Sequence, residues 1–251
     1  MKLKASYRYI INDYMKAMLV YASVITVVSL LIFLFEAVWF KGVGTTRIGG
    51  MEFGSAIFMF IIGLNSFKEH YHMLTQNSVS RKGLFSATIL SFITLAGLMS
   101  VFSVLIISLT KFMSQFQSSI ESAGFFEELY FSHTFGMNQV GLIAETLLFS
   151  FVMFLAVLAI GYFITTMFYR LNKPAKIAVG VGVPVTLVMI LPMVDAIVFG
   201  GKITISFVRF IDTIFGLTSQ NPYVAMVSFV GIFIIAVALT WLLIRRAAIK
   251  A

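Results

Sequence analysis

The sequence predicts an all-α membrane protein with six transmembrane helices, an N-terminal interfacial elbow helix and an outer re-entrant segment before the last span. Three observations carry that expectation. Of 251 residues, 60% are hydrophobic and 11% are charged, whereas roughly a quarter of an ordinary soluble domain is charged. Apolar runs near the ~20 residues that a helix needs to cross hydrocarbon recur along the chain. The cations fall mostly in the gaps between those runs. Cysteine is absent, which removes a disulfide framework, a thiolate metal site and a cysteine nucleophile. The net charge of +8 forms no basic stripe beside base-stacking aromatics. Lipid headgroups, and not nucleic acid, are the expected anionic neighbour.

The first element is the arm 1–16. Leu3, Tyr7, Ile10, Ile11, Tyr14, Met15 and Met18 recur at three- and four-residue steps, while Lys4, Arg8, Asn12 and Lys16 form a separate polar row. That pattern suits a helix lying in the headgroup plane and then turning into the bilayer; a plain extension of the first span is the alternative. Span one covers about 17–38. A glycine-rich loop leads to span two, 51–67, whose length is marginal and would need local thinning of the bilayer. Span three, 83–110, is long enough to tilt or project. The connection that follows, Lys111 to Glu145, reads as a pair of short amphipathic helices over the outer face, because a free acidic loop would not carry so many Phe residues.

Span four covers 146–169 and ends in the basic turn Arg170-Leu171-Asn172-Lys173-Pro174. Span five, 177–198, contains Gly180, Gly182, Pro184 and Pro192, which predict a kinked or broken helix. The stretch from Phe199 to Pro222 is too polar for a clean span and too apolar for a free loop. Gly200, Gly201, Arg209, Asp212 and Pro222 mark it as helices that enter the outer leaflet and return. Span six, 223–244, leads to Arg245 and Arg246, and the whole chain, 1–251, reads as one membrane domain.

Between spans two and three lies the polar segment Ser66–Gly83. Ser66-Phe67-Lys68-Glu69 has the S-x-x-E arrangement of a capping box, and Phe67, Tyr71 and Leu74 follow at helical spacing. A short helix just outside the bilayer is expected here, either as a lever between two spans or as a solvated connector. Lys2, Lys4, Arg8, Lys16, Lys68, Arg81, Lys82, Arg170, Lys173, Lys176, Arg245, Arg246 and Lys250 fall on the side of this segment; Lys41, Arg47, Lys111, Lys202 and Arg209 fall on the other. The excess predicts that this side and both termini face the cytosol.

Catalytic signatures are sparse. His70 and His72 stand two apart with no third ligand of suitable spacing. Glu127-Glu128 is similar to the paired glutamates of intramembrane CAAX-type proteases, but Ser132 stands where that pattern requires arginine. There is no G-x-x-x-x-G-K-[ST] loop and no glycine-flanked nucleophile serine. Ionisable groups are missing from the middle of the spans, which disfavours a proton- or sodium-driven carrier.

The elbow, the six spans with both ends cytosolic, the helix with Ser80-Arg81-Lys82 between spans two and three, and the half-inserted segment before span six together resemble a type-2 ABC exporter permease. Within that family the chain looks most like the permeases that export amphipathic cytolytic peptides, the phenol-soluble modulin exporters of Gram-positive bacteria. The resemblance implies pairing with a second permease copy and coupling to a separate cytosolic ABC ATPase, which carries the ATP and magnesium; this chain itself would be no enzyme. It further implies that Lys68, Glu69, His70, Tyr71, His72 and Met73, with Ser80 and Arg81, meet the ATPase, and that Gly200, Gly201, Arg209, Asp212 and Pro222 belong to the outer gate. A membrane sensor or immunity protein that binds membrane-active peptides without pumping them is the rival from another class; an intramembrane enzyme is a second.

Overall fold

In the computed structural model the described residues are 2–39, 46–116 and 120–245. Ten helices and one pair of four-residue strands account for nearly all of them. The helices are α1 (Lys2–Trp39), α2 (Met51–Asn65), α3 (Lys68–Gln76), α4 (Arg81–Ser114), α5 (Phe125–Leu129), α6 (Phe131–Thr134), α7 (Gln139–Arg170), α8 (Lys173–Phe199), α9 (Lys202–Phe215) and α10 (Pro222–Arg245). Five of them, α1, α4, α7, α8 and α10, are long and apolar enough to cross a membrane. The expected span two appears as α2, whose 15 residues rise only about 22 Å.

The core is built around α7, which packs against α2, α4 and α10. Phe92, Leu95, Met99, Phe149, Leu158 and Tyr162 are among its buried side chains. The α2–α7 contact is made backbone to backbone: a Cβ on Gly63 would lie 2.4 Å from the Leu158 carbonyl oxygen, and one on Gly161 would lie 2.6 Å from the Phe60 carbonyl oxygen. Thr165 Oγ1 donates to the Leu64 carbonyl beside this crossing. Small residues at such a point let two helices approach without intervening side chains.

The expected elbow over 1–16 is not a separate helix. From Lys2 to Trp39 the chain has neither Gly nor Pro, and α1 runs through as one 38-residue helix. Its amphipathic pattern is present: Ser6, Ile10, Tyr14 and Met18 are buried at four-residue steps, while Lys4, Arg8, Asn12 and Lys16 are exposed. Tyr7 Oη lies 3.0 Å from Thr94 Oγ1 on α4, and Tyr21 Oη 3.2 Å from Ser55 Oγ on α2.

Two short strands were not anticipated. β1 (Thr46–Gly49) and β2 (Ile120–Ala123) pair in parallel, Thr46 opposite Ile120 and Gly49 opposite Ala123. They tie the α1–α2 connection to the α4–α5 connection. Next to them Glu52, at the start of α2, is 1% exposed and accepts a 2.9 Å hydrogen bond from the Phe125 amide at the start of α5.

The kinked span expected over 177–198 is α8, which alternates α-helical turns with π-helical stretches at Ala178–Gly182, Thr186–Ile190 and Asp195–Phe199. The first two contain Gly180 and Val188, four residues before Pro184 and Pro192, where a proline ring crowds the carbonyl and supplies no amide hydrogen. The most apolar stretch of α8 buries nothing within the chain.

Candidate functional site

The short helix α3 lies where the polar segment between two apolar elements predicts it, but its start is built differently. Ser66 is no capping residue for α3: its hydroxyl donates back to the carbonyls of Ile62 (2.9 Å) and Gly63 (2.8 Å), closing the end of α2. The helix begins instead behind Phe67, with no side-chain cap. At its far end Asn77 Nδ2 donates to the Met73 carbonyl (2.8 Å), and Ser78 takes a positive φ of 56° to turn the chain into α4. Ser80 then caps α4 by accepting from the Gly83 amide at 3.1 Å.

Two sets of rings bolt α3 to the bundle. On the α7 side Phe67 stacks on Tyr71 at 4.9 Å, and both meet Tyr169 edge-on at 5.1 and 5.7 Å. On the α1 side His70 is clasped edge-on between Tyr9 and Tyr14, at 5.7 and 5.1 Å. His70 Nδ1 lies 3.1 Å from the Ser66 carbonyl oxygen. Tyr14 Oη is 3.2 Å from the same nitrogen, and Nε2 is turned to Asp13 Oδ2 at 3.3 Å.

This geometry divides the eight residues assigned to ATPase contact. Tyr71 (0% exposed) and His70 (2% exposed) point inward and have no surface to offer. Ser80 and Arg81 are exposed but also serve the fold, Ser80 as the cap and Arg81 by donating from Nη1 to the Arg245 carbonyl at 2.8 Å. That bond brings the start of α4 beside the end of α10. The side chains of Lys68 and Glu69 lie outside the described residues. His72 is half-buried against Tyr169, and Met73 is 45% exposed. Among the described side chains of α3 and its C-terminal cap, Met73, Gln76 and Asn77 are the exposed ones. Gln76 and Asn77 are not among the eight, although the Phe67, Tyr71, Leu74 spacing implies them as the opposite face.

At the other end of the long helices the five expected gate residues split in the same way. Gly200 and Gly201 take positive φ values of 61° and 81°, a conformation costly for any residue with a Cβ. They reverse the chain so tightly that Asp195, at the end of α8, caps α9: its carboxylate accepts from the Ile203 and Thr204 amides at 2.9 and 2.7 Å. Asp212 Oδ1 accepts from the Thr218 amide at 2.8 Å and closes the turn after α9, and Pro222 is the buried first residue of α10. Arg209 is exposed on α9, whose apolar side chains, among them Phe207 and Phe210, are exposed as well. Asp195→Ala should fray α9 and leave the rest folded. The Ile203 and Thr204 amides lose their acceptors, so their exchange is expected to rise by about tenfold or more.

A second cluster fastens the α5–α6 segment to the α9–α10 turn. Tyr130 Oη donates to the Phe215 carbonyl at 2.7 Å, and burial pushes this hydroxyl up to about 12, which keeps it a donor. Gln220 spans the same seam, donating to the Leu129 carbonyl (3.1 Å) and accepting from the Ser132 amide (3.2 Å). Glu145 receives His133 Nε2 at 2.8 Å and Tyr223 Oη at 2.6 Å. The short helices are thus held down as a cap over the ends of α7 and α10. Among the described residues, no three His, Asp or Glu side chains converge as a metal-binding group. No family model, no curated protein and no solved structure matches the chain.

Proposed function

We propose that the chain is the permease subunit of an ATP-binding cassette exporter, moving amphipathic or hydrophobic cargo, cytolytic peptides foremost, out of a bacterial cell. The observation that carries this reading is the mounting of α3. One face is locked by aromatic contacts to both α1 and α7, while Met73, Gln76 and Asn77 are exposed on the other. A solvated connector has no need of such anchoring; a lever does. Force applied to the free face by a cytosolic ATPase passes at once into two long helices, and through α7 into α2, α4 and α10.

In this reading α2 counts as the sixth span, the chain crosses the bacterial plasma membrane six times with both termini and α3 in the cytosol, and the cap of α5, α6 and α9 faces outward. Two copies pair. The bare surfaces of α1 and α8 support that, since both leave long apolar faces uncovered within one chain. ATP and magnesium belong to the partner ATPase. Flexible Met and Phe side chains, fourteen and twenty-seven in number, offer an adaptable apolar path for cargo of varied sequence.

Because the chain lacks cysteine, sidedness can be read from one engineered thiol. Asn77→Cys should react with a membrane-impermeant maleimide in inverted vesicles and be protected in intact cells, and Thr134→Cys should do the opposite. Labelling of Asn77→Cys from outside the cell would contradict the lever assignment.

A further inference from the structure

The helix between α8 and α10 has two unlike sides. Ile203, Phe207, Phe210, Ile211 and Ile214 share one side of α9, while Lys202, Arg209, Asp212 and Thr213 share the other, with Ile205 the one apolar side chain among them. The apolar side changes along its length. Its last turn is docked, since Phe215 meets the Phe229 ring of α10 at 5.3 Å and Ser228 Oγ donates to the Ile214 carbonyl at 2.7 Å. Its first part is bare: Ile203, Phe207 and Phe210 are 41%, 61% and 58% exposed. Because Asp195 on α8 caps the start of α9 and Asp212 closes the turn that follows it, the helix is held at both ends and leaves this apolar strip uncovered by the chain.

The flanking spans fix where α9 lies. The 27 residues of α8 rise about 40 Å, more than the ~30 Å of hydrocarbon that they cross. With Lys173 and Lys176 at one headgroup layer, the Gly200-Gly201 reversal is reached at the other, and α10 starts back from that same layer at Pro222. A course down into the hydrocarbon would carry Lys202 and Arg209 with it; both are exposed, and neither has an ion-pair partner among the described residues. A course out in water would leave Phe207 and Phe210 wet. At the adjoining ends of α8 and α10 the side chains of Ile197 and Val227 are also bare, each 73% exposed, so the apolar strip of α9 stands between two surfaces of the same character. A course along the headgroup plane satisfies both sides of α9: the rings enter the leaflet, and the two cations reach the phosphates.

We infer that α9 is a membrane-surface helix, which binds the leaflet opposite α3 by lying parallel to it with Ile203, Phe207 and Phe210 in the lipid and Lys202 and Arg209 at the phosphates. The bond from Tyr130 Oη to the Phe215 carbonyl then ties the α5–α6 cap to the helix that meets the lipid. The inference requires only that α8 and α10 cross a bilayer and does not depend on the permease reading.

The chain has no cysteine, so the test places one nitroxide label at a time on the full chain in nanodiscs of mixed phosphatidylethanolamine and phosphatidylglycerol. Ile203→Cys, Phe207→Cys and Phe210→Cys carry it on one side, and Ile205→Cys, Arg209→Cys and Thr213→Cys on the other; all six positions are exposed, so the label displaces no packed side chain. Collision with dissolved oxygen and with a water-soluble nickel chelate reads the depth of each label. The first three should favour oxygen and share one depth, about 5–10 Å below the phosphates, and the second three should favour nickel. Adding Phe207→Asp and Phe210→Asp to the Ile203→Cys chain should move its label from oxygen to nickel. Depth that increases steadily along 203–213 whichever side is labelled would show a helix entering the bilayer and overturn the inference. Nickel access at all six positions, or an unchanged label depth in the aspartate variant, would overturn it too. Loss of both collision rates at 203, 207 and 210, with spin–spin broadening, would assign the strip to a second copy of the chain and likewise overturn it.

Discussion

Gly161→Val should prevent α2 and α7 from closing and give a protein that inserts but does not hold a native fold. The added carbons have no room: a Cβ alone would sit 2.6 Å from the Phe60 carbonyl oxygen and 2.8 Å from the Leu64 amide nitrogen. These are backbone atoms, which cannot rotate away as the end of a side chain can. Relief would need the helices to separate, which breaks the Thr165 bond to Leu64 and opens the contact on which Met59, Ile62, Leu158 and Tyr162 are buried. Overpacking in tight cores costs about 1–3 kcal/mol, and backbone collisions fall at or above the upper end. The expected result is loss of the monodisperse peak in detergent size-exclusion and a clear fall in thermal midpoint. Gly97→Ala is the control: only one atom, Phe151 Cε2 at 3.9 Å, approaches its Cβ position, and the midpoint should barely move.

The second large effect separates the two faces of α3. Tyr71→Ala removes a fully buried ring that contacts Phe67 and Tyr169, a truncation of the class that costs about 3–5 kcal/mol in a core. Because α3 stays attached at both ends and through His70, the expected damage is slack at the α7 joint. In the proposed exporter the partner ATPase should still bind and hydrolyse ATP, while export per ATP falls by about tenfold or more, the equivalent of ~1.4 kcal/mol of lost coupling. Met73→Arg combined with Gln76→Glu alters only exposed positions and should leave the fold intact while weakening ATPase association by a similar factor. Equal behaviour of the two variants in binding and in coupling would show that α3 does not have an anchored and a docking side.

Much of the architecture was legible from the chain because apolar runs and cation-bearing gaps contrast sharply, and helices in lipid have few alternatives. The break between α8 and α9 falls at Gly200-Gly201, inside the mixed stretch 199–222, because glycine takes those angles readily. Three features were hidden. The polar row of α1 favours an interfacial helix, whereas the alternative, a plain extension of the first span, is the one found, since no residue between Lys2 and Trp39 breaks the helix. The β1–β2 pair joins two four-residue stretches more than seventy positions apart, with no pattern of their own to announce it. Gly63 and Gly161 are ordinary small residues until it is known that α2 and α7 are neighbours. At the candidate site the inward face of α3 was written in the spacing of Phe67, Tyr71 and Leu74. The resemblance nevertheless assigns contact to six consecutive residues, Lys68 to Met73, and a helix cannot present six consecutive residues to one partner.

The central claim is that work done on this chain comes from a nucleotide-hydrolysing partner seated on the free face of α3. Isolation of the tagged full-length chain from its native membrane, under mild detergent, tests it most directly. The prediction is that a separately encoded P-loop ATPase co-purifies in stoichiometric amount and is lost from the Met73→Arg, Gln76→Glu variant. Purified chain that moves amphipathic peptide across a vesicle membrane with no companion protein and no ATP would contradict it.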